Sequence, residues 1–200
     1  VREVLSSISP AGSQVFAFKA PSSEELDHDF LWRAARALPE RGRIGIFNRS
    51  YYEEVVTVRI HPEFLEKQRL PPRCTGKQLW DDRLADIAGF ERYLARNGVL
   101  IRKFFLHVSR DEQKRRFLAR IDEADKNWKL SPNDARERAH WDDYMRAYED
   151  VFTHTSTAAA PWHIVPADHK WFTRLAVAAI VGQRLDALDL EYPKVSKAQK

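Results

Sequence analysis

Arg43-Ile44-Gly45-Ile46-Phe47, followed at once by Asn48-Arg49-Ser50-Tyr51-Tyr52-Glu53-Glu54, decides the fold of this chain. The first part is a short, mostly apolar run bounded by turn signals, the pattern of a buried strand. The second part releases the chain into polar groups just where the strand ends. A helix is expected from about Tyr51 through Val55. A strand that feeds a helix through a polar turn is one unit of an α/β sheet.

The same alternation continues outward on both sides. Upstream, Val1 to Ile8 reads as the end of a helix stopped by Pro10 and Gly12, and Gln14 to Phe18 reads as a strand. Ser22-Ser23 then caps a helix whose first turn holds Glu24 and Glu25, where the helix dipole favours acids. Leu26, Phe30, Leu31, Ala34 and Leu38 continue that helix at helical spacing. Downstream, Pro62 to Gly76 is irregular around Pro71-Pro72. Gln78 to Asn97 is a long amphipathic helix with Gly98 at its C-terminal cap. Val99 to Val108 is a strand, and Ser109-Arg110-Asp111-Glu112 is a capping-box signature opening a helix to about Ile121. A helix from Ser131 to about Phe152, a strand from Trp162 closed by Pro166, and a helix from Trp171 to Leu188 complete the order. Apolar strands separated by helices predict a parallel sheet covered on both faces.

In such sheets ligands gather past the carboxyl ends of the strands. The rule selects Lys19, Asn48-Arg49-Ser50, Ser109-Arg110 and Ala167-Asp168. Arg49 offers a forked donor suited to phosphate oxygens, and Ser50 and the helix behind it add donors. A capped loop with Arg49 in a salt bridge is the competing reading. Lys114 to Arg138 is a second basic region, with Lys114, Arg115, Arg116, Arg120, Lys126, Lys129, Arg136 and Arg138 interleaved with acids. Two solvated, salt-bridged helices explain that pattern as well. Lys126-Asn127-Trp128-Lys129, between the two helices, also suits a lid that closes on phosphates.

Composition narrows the classes. The chain has 200 residues, 44% of them hydrophobic, which is enough for one domain with a sizeable core. No run of about 18 apolar residues predicts a membrane span. The single cysteine, Cys74, excludes a disulfide framework within the chain and a multi-cysteine zinc site, and fits a cytoplasmic protein. A net charge of +4 suits an anionic partner but is too small to choose among nucleotide, polyphosphate and nucleic acid. No recognised nucleic-acid motif accompanies the basic stretch. The histidines lack metal-ligand spacing, no serine sits in a G-x-S-x-G elbow, and Gly76-Lys77 lacks the upstream glycine of a phosphate loop.

FKAPSSEELDHDFLWR (18–33), FNRSYYEEVVTVRIHPE (47–63), KFFLHVSRDEQKRRFLARID (103–122), KNWKLSPNDARERAHWDDYMRAYEDVF (126–152) and TSTAAAPWHIVPADHKWFTRLAVA (155–178) together resemble the polyphosphate kinase 2 family. The blocks occur in order over nearly the whole chain. The form N-R-S-x-Y-E at 48–53 is similar to the branch associated with AMP and ADP phosphorylation.

The resemblance implies a P-loop kinase-like three-layer α/β fold: a parallel sheet with helices on both faces and a helical lid at roughly 110–150. It covers 1–200 as one polyphosphate kinase 2-like domain. It implies Mg²⁺-dependent transfer of the terminal phosphoryl group of inorganic polyphosphate to AMP or ADP, or the reverse, by a homo-oligomeric dimer or tetramer. Asn48, Arg49 and Arg116 are the implied catalytic residues. Lys19, Arg115, Lys126, Lys129 and Arg138 are the implied phosphate contacts, and Glu53 and Glu54 the implied metal-side acids. An ATP-dependent nucleoside monophosphate kinase and a catalytically inactive polyanion-binding relative are the alternatives. The family's glycine-rich Walker A loop is absent from this sequence, and Val1-Arg2-Glu3-Val4 is similar to the helix after that loop. The expectation is therefore an N-terminally incomplete domain, weak or inactive as this polypeptide alone.

Overall fold

The computed structural model describes residues 3–4, 12–123, 125, 128 and 133–191, the side chains of 134 and 135 aside. Of the helix expected at Val1–Ile8 all but Glu3 and Val4, and the pair Lys126 and Lys129, lie outside the described residues.

The strands are β1 (Ser13–Ala17), β2 (Ile44–Asn48), β3 (Lys103–His107) and β4 (Trp162–Pro166). β1 pairs with β2 and β3 with β4, both in parallel, as the alternating order predicts. Among the described residues they form two separate two-stranded ladders rather than one continuous hydrogen-bonded sheet. Both faces are not covered everywhere: Val15 is 55% exposed and Ile164 58%. Gly45 has a packing reason, because a Cβ there would meet the Pro39 ring at 2.9 Å.

Between β1 and β2 lie two short helices, α1 (Ser23–Leu26) and α2 (Trp32–Arg36), in place of the single expected helix. Ser22 and Glu25 form a full reciprocal capping box that starts α1. The break follows from Asp29, whose carboxylate accepts from the Leu31 amide at 2.9 Å and offers the backbone an alternative to the helix. After β2, Tyr51–Glu54 form one 3₁₀ turn, then come α3 (Thr57–Ile60) and α4 (Pro62–Glu66), with Pro62 in the first turn.

α5 (Leu79–Arg96) is the long amphipathic helix, ended as expected. Gly98 has φ +84, and Gly98 and Val99 donate to Ala95 and Leu94, which is a Schellman cap. β3 is shorter than the apolar run that contains it. α6 (Arg110–Asp122) follows, then α7 (Asn133–Ala139) and α8 (Trp141–Thr155), separated at His140. α9 (Lys170–Asp186) packs on β4.

The core joins these pieces. Val55, Val56, Leu84, Ile87, Ala147 and Val151 are buried together with Tyr51 and Tyr52, and Phe47, Phe90, Phe152 and Trp162 pack around them. Each fully buried aliphatic side chain contributes about 1.5–3 kcal/mol. α8 thus supplies core, although most of it falls within the lid region expected at roughly 110–150. Within the core lies a polar cluster. Lys103 Nζ donates to Glu91 Oε2 (2.6 Å), the Tyr52 hydroxyl (2.9 Å) and the Thr155 carbonyl (2.8 Å). Tyr51 and Tyr52 both donate to Glu91 Oε1, at 2.8 and 2.9 Å.

Candidate active site

Each ladder delivers its strand ends to one place. At the first, the Phe18 amide donates to the Asn48 carbonyl at 3.1 Å, so the parallel register runs just past both strands. Lys19 lies beyond β1, with its carbonyl held by Arg33 at 2.9 Å and its side chain exposed. Asn48 and Arg49 are also exposed. Arg49 has φ 63, a left-handed conformation that costs a non-glycine residue about 1–3 kcal/mol. This turn redirects the chain, after which Ser50 Oγ caps the 3₁₀ turn by accepting from Tyr52. Neither Lys19 nor Arg49 forms an ion pair among the described residues, so the salt-bridge reading of Arg49 does not hold there.

The two acids of this motif diverge. Glu54 is buried, accepts from Gln68 at 2.6 Å and faces Arg83; burial raises its carboxyl above the usual range. Glu53 is half-buried and accepts from the Thr57 hydroxyl. Tyr148 of α8 senses this neighbourhood. Burial, then the Glu53 charge, push its phenol up to about 12, while Arg49 opposes them. Its ring packs on Phe105 of β3 at 4.4 Å, which brings the β2 loop beside the second ladder.

At the second ladder the strand ends are tied by side chains. The Ser109 amide donates to Asp168 Oδ1 at 2.7 Å, and Ser109 Oγ accepts from Glu112 to cap α6. The capping box is therefore only half formed: Asp168 takes the arm expected of Glu112. Glu112 instead binds Arg115 and Arg116 through both carboxylate oxygens. Arg116 also donates to the carbonyls of Ala167 (2.7 Å) and Asp168 (3.1 Å). Arg138 donates to the Arg110 carbonyl at 2.7 Å and to Gln113 at 2.9 Å, joining α7 to α6. Arg115 remains 75% exposed despite its pairing. The hydrogen bond from Arg115 holds Glu112 below the usual carboxylate range, and the Ser109 amide does the same for Asp168. A cavity of about 360 Å³ opens here, lined by Glu112, Arg115, Arg116, Asp168, Lys170 and Trp171 among others.

The chain matches the family model described as "Polyphosphate kinase 2 (PPK2)" over residues 1–193. The chain belongs to the polyphosphate kinase 2 family. It is 52% identical over 201 residues to an ADP-polyphosphate phosphotransferase of Rhodopseudomonas palustris, covering all of this chain and 70% of that protein. It is 38% identical to an AMP/ADP-polyphosphate phosphotransferase of Meiothermus ruber, covering all of this chain and 71% of that one. The crystal structure of polyphosphate kinase 2 from Arthrobacter aurescens TC1 superposes with a TM-score of 0.88 at 43% identity, over 96% of this chain. The chain spans 64% of the length of that structure. The polyphosphate kinase 2 fold, a P-loop kinase-like α/β architecture, is thereby established for this chain.

For a polyphosphate kinase 2 protein the positions divide cleanly. Lys19, Asn48 and Arg49 sit at the first strand end; Arg115, Arg116 and Arg138 sit at the second. Asp168, which the strand-end rule selects, and Glu112, which carries only a helix-capping signal, both shape the second end. For Asp168 the strand-end rule was the available signal, since it follows the last strand directly. Tyr148 carried no local signal, because its place beside Arg49 and Glu53 depends on how α8 packs.

Proposed function

We propose that this protein transfers the terminal phosphoryl group of inorganic polyphosphate to AMP or ADP, and can run the reaction in reverse. The observation that carries the proposal is the pair of exposed cations, Lys19 and Arg49, unpaired among the described residues, at the strand ends of a chain 52% identical to an ADP-polyphosphate phosphotransferase. Phosphoryl transfer asks little covalent chemistry of a protein; it asks for positioning and for charge stabilisation at the migrating group. Arg49 binds the transferring phosphate through its fork, and Asn48 donates beside it. Lys19 receives polyphosphate or nucleotide phosphates. Arg115 reaches from the second end, while Arg116 and Arg138 hold the α6–α7 region that closes over the anions. Lys126 and Lys129 belong to the same basic region in sequence.

Magnesium binds in such sites through one or two carboxylates plus substrate phosphates and water. Glu53 fits as a hard oxygen donor near the loop; Glu54 does not, because it faces Arg83 in the interior. Among the described residues no group of three or more potential metal ligands assembles. Bound Mg²⁺ would neutralise charge on the phosphate chain. Among the described residues, no helix is long and apolar enough to cross a membrane. The proposal places the protein in the cytoplasm as a homo-oligomer of two or four chains, which light scattering measures.

The test is incubation of the full-length protein with polyphosphate, Mg²⁺ and AMP or ADP. Formation of ADP or ATP is expected, and its absence with every nucleotide overturns the reading. Activity with ATP as donor and indifference to polyphosphate would instead make the protein a nucleoside monophosphate kinase.

A further inference from the structure

Arg49 holds a left-handed backbone conformation that an arginine keeps only when its surroundings over-determine it. The exposed side of the loop does not supply that constraint, because Asn48 and Arg49 face outward. The buried side does. Tyr51 and Tyr52 follow the loop directly, and both hydroxyls end on one oxygen of Glu91. Glu91 comes from α5, and its other oxygen takes Lys103 from β3. Lys103 has a satisfied partner for each ammonium proton, the third being the Thr155 carbonyl at the end of α8. The ring of Tyr52 is braced by Trp162 of β4, 4.8 Å away and edge-on. Three elements distant in sequence thus grip the two residues behind the loop.

We propose that Glu91 and Lys103 are positioning residues for the phosphate-facing loop: their buried pair fixes Tyr51 and Tyr52, and thereby holds Arg49 aimed at its anion. Neither residue touches substrate. A pair serving only core cohesion would have no need to end on the two side chains adjoining a strained turn. The inference rests on the reading of Arg49 as a phosphate ligand, and the experiment separates the two.

Tyr51→Phe/Tyr52→Phe keeps both rings and removes only the hydroxyl contacts, so the core volume is unchanged. Leu94→Ala, a cavity in a buried part of α5, serves as the stability control. Amide exchange is measured across 48–54. Exchange at least about tenfold faster there in the double tyrosine variant, with Leu94→Ala leaving the segment unchanged, is expected. Equal protection in the tyrosine variant and the unaltered protein overturns the proposal. Turnover is then measured in a cycle with Arg49→Ala. The tyrosine variant is expected to lose about tenfold or more in kcat alone and less than about twofold further when Arg49 is already alanine. Losses that multiply independently also overturn it. Should the unaltered protein transfer no phosphate, the kinase reading fails, and the exchange result alone decides whether the pair positions the loop.

Discussion

The two strand ends use their cations in opposite ways. At the first, Lys19 and Arg49 stand exposed with no ion pair among the described residues, and the buried acid Glu54 faces inward to Arg83. At the second, Arg115 and Arg116 share Glu112, while Arg116 and Arg138 are spent on backbone carbonyls. An uncommitted guanidinium can meet a phosphate without first breaking a pair. A committed one shapes the backbone around it. The first end is therefore built as a binding surface held from behind, and the second as a frame held within itself.

The largest effect tests what holds the first end. Lys103→Met leaves Glu91 charged and unpaired in the core, at a cost of about 3–5 kcal/mol in urea unfolding. Glu91→Leu added to it should restore much of that stability, but not activity. If activity returned with stability, the pair would be only structural. Next comes Arg49→Ala. Loss of a preorganised donor lowers kcat about 10²–10³-fold, with unfolding midpoints nearly unchanged because the side chain is exposed. Arg116→Ala should behave in the opposite sense, losing stability and α6 protection along with activity. Similar profiles for Arg49 and Arg116 would erase the contrast between the ends.

Local sequence signals carried the element order because each is written within a few residues. Gly98 after the last helical turn, Ser109 before Glu112, and the apolar run before Asn48 all name their structures in place. The single helix expected over Ser22–Leu38 failed where Asp29 competes for a backbone amide, a contest that hydrophobic spacing does not register. The Lys103–Glu91–Tyr52 cluster was out of reach for another reason. Its contacts join residues 12 and 51 positions apart, and nothing in an apolar strand marks its first lysine as buried rather than solvated. The same holds for the commitments of Arg116: sequence marks it as a cation of the basic stretch and the expected lid, but not the carbonyls it serves.

Acid separates the two ends by sign. Glu54 has a raised folded-state pKa, set by burial, so its stabilising contribution is present at low pH and lost as pH rises through that value. Glu112 and Asp168 have depressed values, caused first by hydrogen bonds from Arg115 and the Ser109 amide. Their contribution is present above the ordinary carboxylate range and is lost as pH falls below about 4. Exchange protection measured between neutral and acid pH should therefore fail at Ser109–Arg116 before it fails at Tyr51–Val55. Glu54→Gln should flatten the pH response of the first end, and Asp168→Asn that of the second. A loss of protection at both ends together would show one cooperative unit instead of two separately held ones.

The smallest effect is at the caps. Ser109 closes α6 with its hydroxyl and receives Asp168 on its amide, so Ser109→Ala removes one of two ties and should cost about 1 kcal/mol. Because α6 presents Arg115 and Arg116, the loss should appear as faster exchange over Arg110–Gln113 and a modest fall in turnover. Ser22→Ala removes an equivalent hydroxyl from a complete capping box at α1, a helix of only four residues. The ion pairs of Glu25 with Arg33 and Glu24 with Arg36 still tie α1 to α2, so α1 should lose protection while turnover stays near that of the unaltered protein, since Arg33 keeps its hold on the Lys19 carbonyl. If Ser22→Ala instead impaired turnover more than Ser109→Ala, the first end would depend on its own small helices, and its support from the buried cluster behind Arg49 would be the lesser constraint.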